Sequence, residues 1–242
     1  MRVGVFIPCF VSQLRPATAE RLIVLLQRLG VDLVLPEEAP VCCGQPSYNA
    51  GLWSEAACCA EKLVRAFAGV EQVVVPSASC AAMVQRYPEI PELDPALRNE
   101  VEQIARRTTE VCRFLVQDLG VEDLEVTRAG RVAYHDGCHG LRELGLRDEP
   151  RLLLRKVRGL ELCELAGVPV CCGFGGTFSI KYPEISVDMA DHKLALLARC
   201  GTDTLVSADL SCLLHLESRA RRRGVPFVGL HVLDVLVPEV AA

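Results

Sequence analysis

The sequence predicts an α/β protein made of two similar βαβ-type halves with parallel sheets, the second a pseudo-duplicate of the first. A cysteine pattern that occurs twice, short apolar runs that alternate with helical patterns, and a globular composition together carry this expectation. The chain has 242 residues, half of them hydrophobic and 24% charged, with a mean hydropathy of +0.26. That length suits one large domain or two of about 120 residues, and the composition is too apolar for wholesale disorder. A net charge of -5 argues against nucleic acid or an anionic membrane as the main partner. No uncharged run approaches the ~20 apolar residues of a membrane span, so no transmembrane segment is expected.

The duplication is written in cysteine. Cys42-Cys43-Gly44 recurs as Cys171-Cys172-Gly173, 129 residues later. Cys9 precedes Cys42 by 33 residues, and Cys138 precedes Cys171 by the same 33. Cys80 follows Cys43 by 37 residues and Cys212 follows Cys172 by 40. Four positions in register mark two copies of one unit, expected at 1–127 and 128–242 with the stretch around 120–130 as linker.

Taken in order, the elements support parallel βαβ units. VGVFIP (3–8) reads as a first strand: Pro8 and the repeat-bearing Cys9 argue against a signal peptide, and a cytoplasmic location is expected. Further strands are read at 33–36, 73–76, 131–136 and 204–209, from short apolar or β-branched runs followed by turn residues. Helical patterns run over 18–29, 52–67, 95–119, 183–198 and 212–222. The single cysteines each follow a predicted strand closely, and loops at the carboxyl ends of parallel strands are where ligands of open sheets gather.

Thirteen cysteines in a chain large enough to fold without disulfides point to metal or redox chemistry in a reducing compartment. Cys9, Cys42, Cys43 and Cys80 in one half, and Cys138, Cys171, Cys172 and Cys212 in the other, form two candidate ligand quartets. Four thiolates suit tetrahedral zinc or an iron–sulfur cluster. Adjacent cysteines point to opposite faces of a strand, so both serve one centre only in a turn, which the following glycine permits. The spacing leans toward a cluster and leaves zinc open. Cys58, Cys59, Cys112, Cys163 and Cys200 have no counterpart in the other half and are expected to pack as core residues.

CCGQPSYNAG (42–51), PSASC (76–80), HDGCH (135–139), CCGFGGTFS (171–179) and DLSCLLH (209–215) resemble the tandem CCG cysteine-rich domain family. That family includes the B subunit of heterodisulfide reductase and iron–sulfur subunits of glycolate and glycerol-3-phosphate dehydrogenases. The segments are most similar to its lactate-utilisation protein A branch. The resemblance implies an iron–sulfur electron-transfer subunit of a cytosolic complex that oxidises L-lactate, a 2-hydroxy acid, to pyruvate. A ferredoxin-type iron–sulfur subunit and a third subunit are its implied partners. One or two [4Fe-4S] clusters are the implied cofactor, with zinc an alternative in one half. Heterodisulfide-reductase motifs carry a fifth cysteine for a noncubane cluster; here that position is Ser77 in one half and Asp209 in the other, leaving four cysteines per half. The rival readings are a scaffold with structural zinc and a thiol–disulfide redox subunit working through its vicinal cysteines.

Histidine separates the halves. His135 and His139 flank Cys138, and His215 lies one helical turn beyond Cys212, whereas Phe6-Ile7-Pro8 precedes Cys9. An imidazole there suits ligation, thiolate hydrogen bonding or proton movement, and equally a strand-end or capping role. His135 and His139 are the candidate catalytic residues, which places the chemistry in the second half.

Overall fold

The computed structural model describes residues 1–38, 40–166 and 169–238. Its contacts divide the chain into two compact units, Met1–Phe114 and Leu115–Ala242. In the first unit the order is β1 (Arg2–Val5), α1 (Cys9–Leu14), α2 (Pro16–Arg28), β2 (Asp32–Val34), α3 (Gln45–Ala50), α4 (Trp53–Ala66), β3 (Gln72–Val75), α5 (Ala78–Gln85), α6 (Arg98–Arg107), β4 (Thr108–Glu110) and α7 (Val111–Arg113). The second contains β5 (Thr127–His135), α8 (Cys138–Arg142), α9 (Asp148–Lys156), β6 (Arg158–Glu164), α10 (Thr177–Lys181), α11 (Pro183–Arg199), β7 (Thr204–Ser207), α12 (Leu210–Arg223), β8 (Val228–His231) and α13 (Val232–Leu236).

Each unit holds a four-stranded, all-parallel sheet, and the strand orders correspond: β2-β1-β3-β4 and β6-β5-β7-β8. The α/β class and the pseudo-duplication expected from sequence are therefore present. The registers repeat as well. Gly4 pairs with Val34 and Val73, and Ala133 pairs with Cys163 and Leu205. Parallel strands covered on both faces read as continuous apolar runs, and Val73, Val74 and Val75 are fully buried, as are Ala133, Leu205 and Val206. Helices add their apolar stripes: Leu22 and Leu26 of α2, Ala60 and Leu63 of α4, Leu213 and Leu216 of α12.

The predicted helix over 95–119 is corrected. Helix α6 stops at Arg107, and β-branched Thr108 and Thr109 extend to pair with Val73 and Val74 of β3. Glu110 then caps α7, its Oε2 accepting from the N–H groups of Cys112 at 2.7 Å and Arg113 at 3.3 Å. The strands missed in sequence, β4, β6 and β8, all lie at sheet edges. Among the described residues, no helix is long and apolar enough to cross a membrane.

Candidate metal centres

The strand order reverses direction between β1 and β3, and between β5 and β7, so each sheet opens a crevice at the carboxyl ends of its two central strands. Cys9 is the first residue of α1 and Cys138 the first of α8, each just after its central strand. Cys80 and Cys212 stand in the first turns of α5 and α12, after the other central strand. The Cys-Cys-Gly turns follow the edge strands β2 and β6.

In the first unit the thiols form a hydrogen-bonded chain from Cys9 to Cys42, Cys43 and Cys80. The second repeats it from Cys138 to Cys171, Cys172 and Cys212, with the sulfurs of Cys172 and Cys212 2.9 Å apart. Each set of four cysteines is thus linked thiol to thiol, while among the described residues the group compact enough to hold a single ion, with its ligand atoms within 4.8 Å of one another, is His135, Cys172 and Cys212. Hydrogen bonds from Cys43 and then Cys9 hold the Cys42 thiol down to about 2, with further help from the Gly44 N–H, 3.4 Å from its sulfur. Cys171 is held down to about 2 in the same manner by Cys138 and Cys172, then by the Gly173 N–H at 3.4 Å. The neighbours that donate to them, Cys9, Cys43, Cys138 and Cys172, are pushed up in turn, chiefly by those same thiol hydrogen bonds.

The glycine of each tripeptide has a backbone reason. Gly44 and Gly173 adopt φ of 80° and 91°, a region costly for other residues. A Cβ on Gly173 would lie 2.5 Å from the Ser186 carbonyl, and one on Gly44 3.0 Å from Cβ of Cys59. Each turn is also pinned by a residue that sequence reasoning missed. Buried Tyr87 donates its hydroxyl to the Cys43 carbonyl at 2.9 Å, and buried Ser186 donates to the Gly173 carbonyl at 2.8 Å.

The histidines separate in role. His135 is fully buried, neither ring nitrogen has a hydrogen-bond partner among the described residues, and a nitrogen lies with the sulfurs of Cys172 and Cys212 inside a 4.8 Å group. Burial pushes its pKa down to about 3, the Lys193 charge adds to this, and Cys171 opposes it. It therefore offers a neutral imidazole at neutral pH. His139 is half-buried, its Nδ1 3.5 Å from the Cys138 sulfur and its Nε2 3.7 Å from Glu143 Oε1. His215 approaches Ser186 Oγ at 3.3 Å and packs on Phe174.

At the fifth-cysteine position, Ser77 caps α5 by accepting from the Cys80 N–H at 3.4 Å. Asp209 is buried, packs against Gly137, and acts electrostatically on the Cys138 thiol. The expectation that the other five cysteines fill the core is corrected: only Cys112 is buried. Cys58 faces solvent from α4, while Cys59 packs beside the Gly44 turn, a proximity that its helical setting hid.

A charged cluster in the second unit was also missed. Arg151 forms paired hydrogen bonds to Asp136 at 2.7 and 2.8 Å and contacts Glu164 at 2.9 Å, with its guanidinium over the Tyr134 ring. Arg151 holds the Glu164 carboxyl below its ordinary range through these hydrogen bonds. Lys193 of α11 is 3% exposed and makes no hydrogen bond or ion pair among the described residues. Burial lowers its ammonium, while Cys172 and Asp136 raise it. A lysine between Ala190 and Leu197 on the apolar face of a helix was the signal available in the sequence.

A cavity of about 450 Å³ is lined by Asp136, Arg151, Glu164 and Lys193. A larger one, about 840 Å³, opens near Arg128, Gly130 and Thr202, at the amino ends of β5 and β7, the opposite end of the strands from the cysteines.

Four convergent thiols, one favouring the thiolate, fit a thiophilic centre: zinc and iron–sulfur clusters both accept such a set.

Comparison with known proteins agrees with the duplication. The CCG cysteine-rich domain family matches residues 3–85 and 132–217. A Geobacillus kaustophilus protein named lactate utilization protein A is 42% identical over 236 residues, covering 98% of each chain. A Bacillus subtilis protein of the same name is 37% identical, covering 98% of this chain and 99% of its own. Among solved structures, a glutamate racemase isoform from Bacillus anthracis aligns with a TM-score of 0.38 at 14% identity, over 98% of this chain and 78% of that one. A likeness so slight carries no weight.

Proposed function

The chain belongs to the CCG cysteine-rich domain family, in tandem form, and from that premise we propose that it is the iron–sulfur electron-transfer subunit of an L-lactate-oxidising complex. The observation that carries this reading is the pair of cysteine quartets, one at the carboxyl ends of the central strands in each half. The shared name of the relatives directs it to lactate.

On this reading Cys138, Cys171, Cys172 and Cys212 hold a [4Fe-4S] cluster, and Cys9, Cys42, Cys43 and Cys80 hold a second. When bound, such a cluster supplies a one-electron carrier for the two electrons that leave lactate as it becomes pyruvate. The chain's own residues position it. The Gly44 and Gly173 N–H groups donate to ligand sulfurs, and Cys43, Cys172 and Cys212 are themselves buried from water, two influences that set cluster potential. His135 adds a neutral nitrogen to the second set, and His139 stands beside Cys138 as the group able to move a proton. A ferredoxin-type subunit and a third subunit complete the proposed cytoplasmic complex. The mixed His135, Cys172 and Cys212 group favours a second reading for that half alone, in which it holds zinc.

Anaerobic co-expression of the three subunits tests the function. Dye reduction by L-lactate is expected with the full set and lost when this chain is omitted or carries Cys171→Ser. Undiminished lactate oxidation without this chain contradicts the reading.

A further inference from the structure

We propose that the cavity lined by Lys193, Asp136 and Arg151 is a binding site for a small carboxylate anion, held by the Lys193 ammonium beside the second cysteine quartet. The inference rests on the proposed 2-hydroxy-acid function in its choice of ligand; the site itself rests on geometry.

Lys193 is 3% exposed and makes no hydrogen bond or ion pair among the described residues, and its nitrogen is not one of the buried polar atoms shut away from solvent, so its charge faces the cavity. Its side chain lines a cavity of about 450 Å³, ample for a small organic acid. The acids of the cavity make no ion pair with it: Asp136 and Glu164 are both engaged by Arg151, although the Asp136 charge still acts on the lysine. Arg147 and Arg155, which also line the cavity, are exposed. With Asp148 included, the lining has four cations against three carboxylates, a balance that admits an anion. Lys193 also lies close enough to Cys171, Cys172 and Cys212 for their charges to act on it, which puts the cavity's lysine within electrostatic reach of the candidate centre.

The first half shows that the fold does not require this cluster. Up to the Cys-Cys-Gly turns the repeat offset is 129 residues, so Ile7, Leu22 and Leu35 stand where the second half has Asp136, Arg151 and Glu164; beyond them Gly44 meets Ala56 and Cys59 as Gly173 meets Ser186 and Met189, an offset of 130 that sets buried Leu63 opposite Lys193. The same sheet forms on apolar residues at those positions.

The test is calorimetric titration of the full chain, as purified, with L-lactate and with pyruvate. Lys193→Met removes the ammonium while keeping the length and burial of the side chain. Ala166→Trp obstructs the cavity from an exposed position without touching a charge, and Lys62→Met removes one exposed charge from the other half as a control. Binding to the parent and to Lys62→Met is expected to be equal. It should weaken about tenfold or more in Lys193→Met, the size of one charge-assisted hydrogen bond, and in Ala166→Trp, with metal content and thermal midpoint unchanged. Absence of binding to the parent, unaltered binding by Lys193→Met, or equal weakening by Lys62→Met overturns the proposal. Loss of metal from Lys193→Met also overturns it, by making the lysine a counter-ion to the centre. The functional reading fails separately: a chain that contains only zinc yet binds carboxylate through Lys193 sinks the iron–sulfur assignment and keeps this site.

Discussion

The two halves build the same sheet, with the same strand order and register, around very different interiors. The first has buried Phe6 and Leu63 where the second has His135 and Lys193. Buried charge is seldom needed for stability, and well-packed apolar residues often replace it without loss. Here the first half has buried Leu22 where the second has Arg151, with Ile7 and half-exposed Leu35 in place of Asp136 and Glu164, and gives the structural baseline for the second.

The largest expected effect is on metal. Cys171→Ser or Cys212→Ser should abolish the second centre and leave the first, whereas exposed Cys58→Ser should leave both. Metal analysis of the three variants checks this; equal losses from all three would break the ligand assignment.

Next comes the ion cluster of Arg151, largely buried at Asp136 and half exposed at Glu164. Arg151→Leu strands Asp136 and Glu164 and should cost about 3 kcal/mol in denaturant unfolding. Transplanting the first half's residues together, Asp136→Ile, Arg151→Leu and Glu164→Leu, should return stability to within about 1 kcal/mol of the parent. Failure of the triple variant to recover would show that the halves are not interchangeable in this way. The cluster also has a pH signature. Because Arg151 holds the Glu164 carboxyl below its ordinary 4.5, its contribution is complete above that value and fades as pH falls through the lowered pKa. Arg151→Leu should flatten this acid limb of the stability profile.

Smaller effects distinguish the two turns. Gly173→Ala should cost about 2 kcal/mol, more than Gly44→Ala, because its new Cβ meets a backbone carbonyl and not a side chain. Tyr87→Phe should cost about 1 kcal/mol through one lost hydrogen bond to the first turn. The ranking is readable from unfolding midpoints of the three proteins.

How much of this was readable in the sequence follows from burial. The central strands β1, β3, β5 and β7 announce themselves as apolar runs, while β4, β6 and β8 are edge strands with weak or alternating signals. Thr108 and Thr109 were hidden inside a helical pattern because their strand is only three residues long. The cysteines were readable because a repeat fixes their register. Lys193 and Arg151 look like surface residues of amphipathic helices until the fold brings them to Asp136 and the cavity. Tyr87 and Cys59 reach the first turn only through tertiary contact.

The central claim, an iron–sulfur protein with one centre per half, is tested most directly by iron, sulfide and zinc analysis of the anaerobically purified chain, read with its EPR spectrum after reduction. A brown protein with equal iron and acid-labile sulfide and an EPR signal that Cys171→Ser diminishes is the predicted result. A colourless protein holding stoichiometric zinc in both halves, with no iron and no signal, would contradict it.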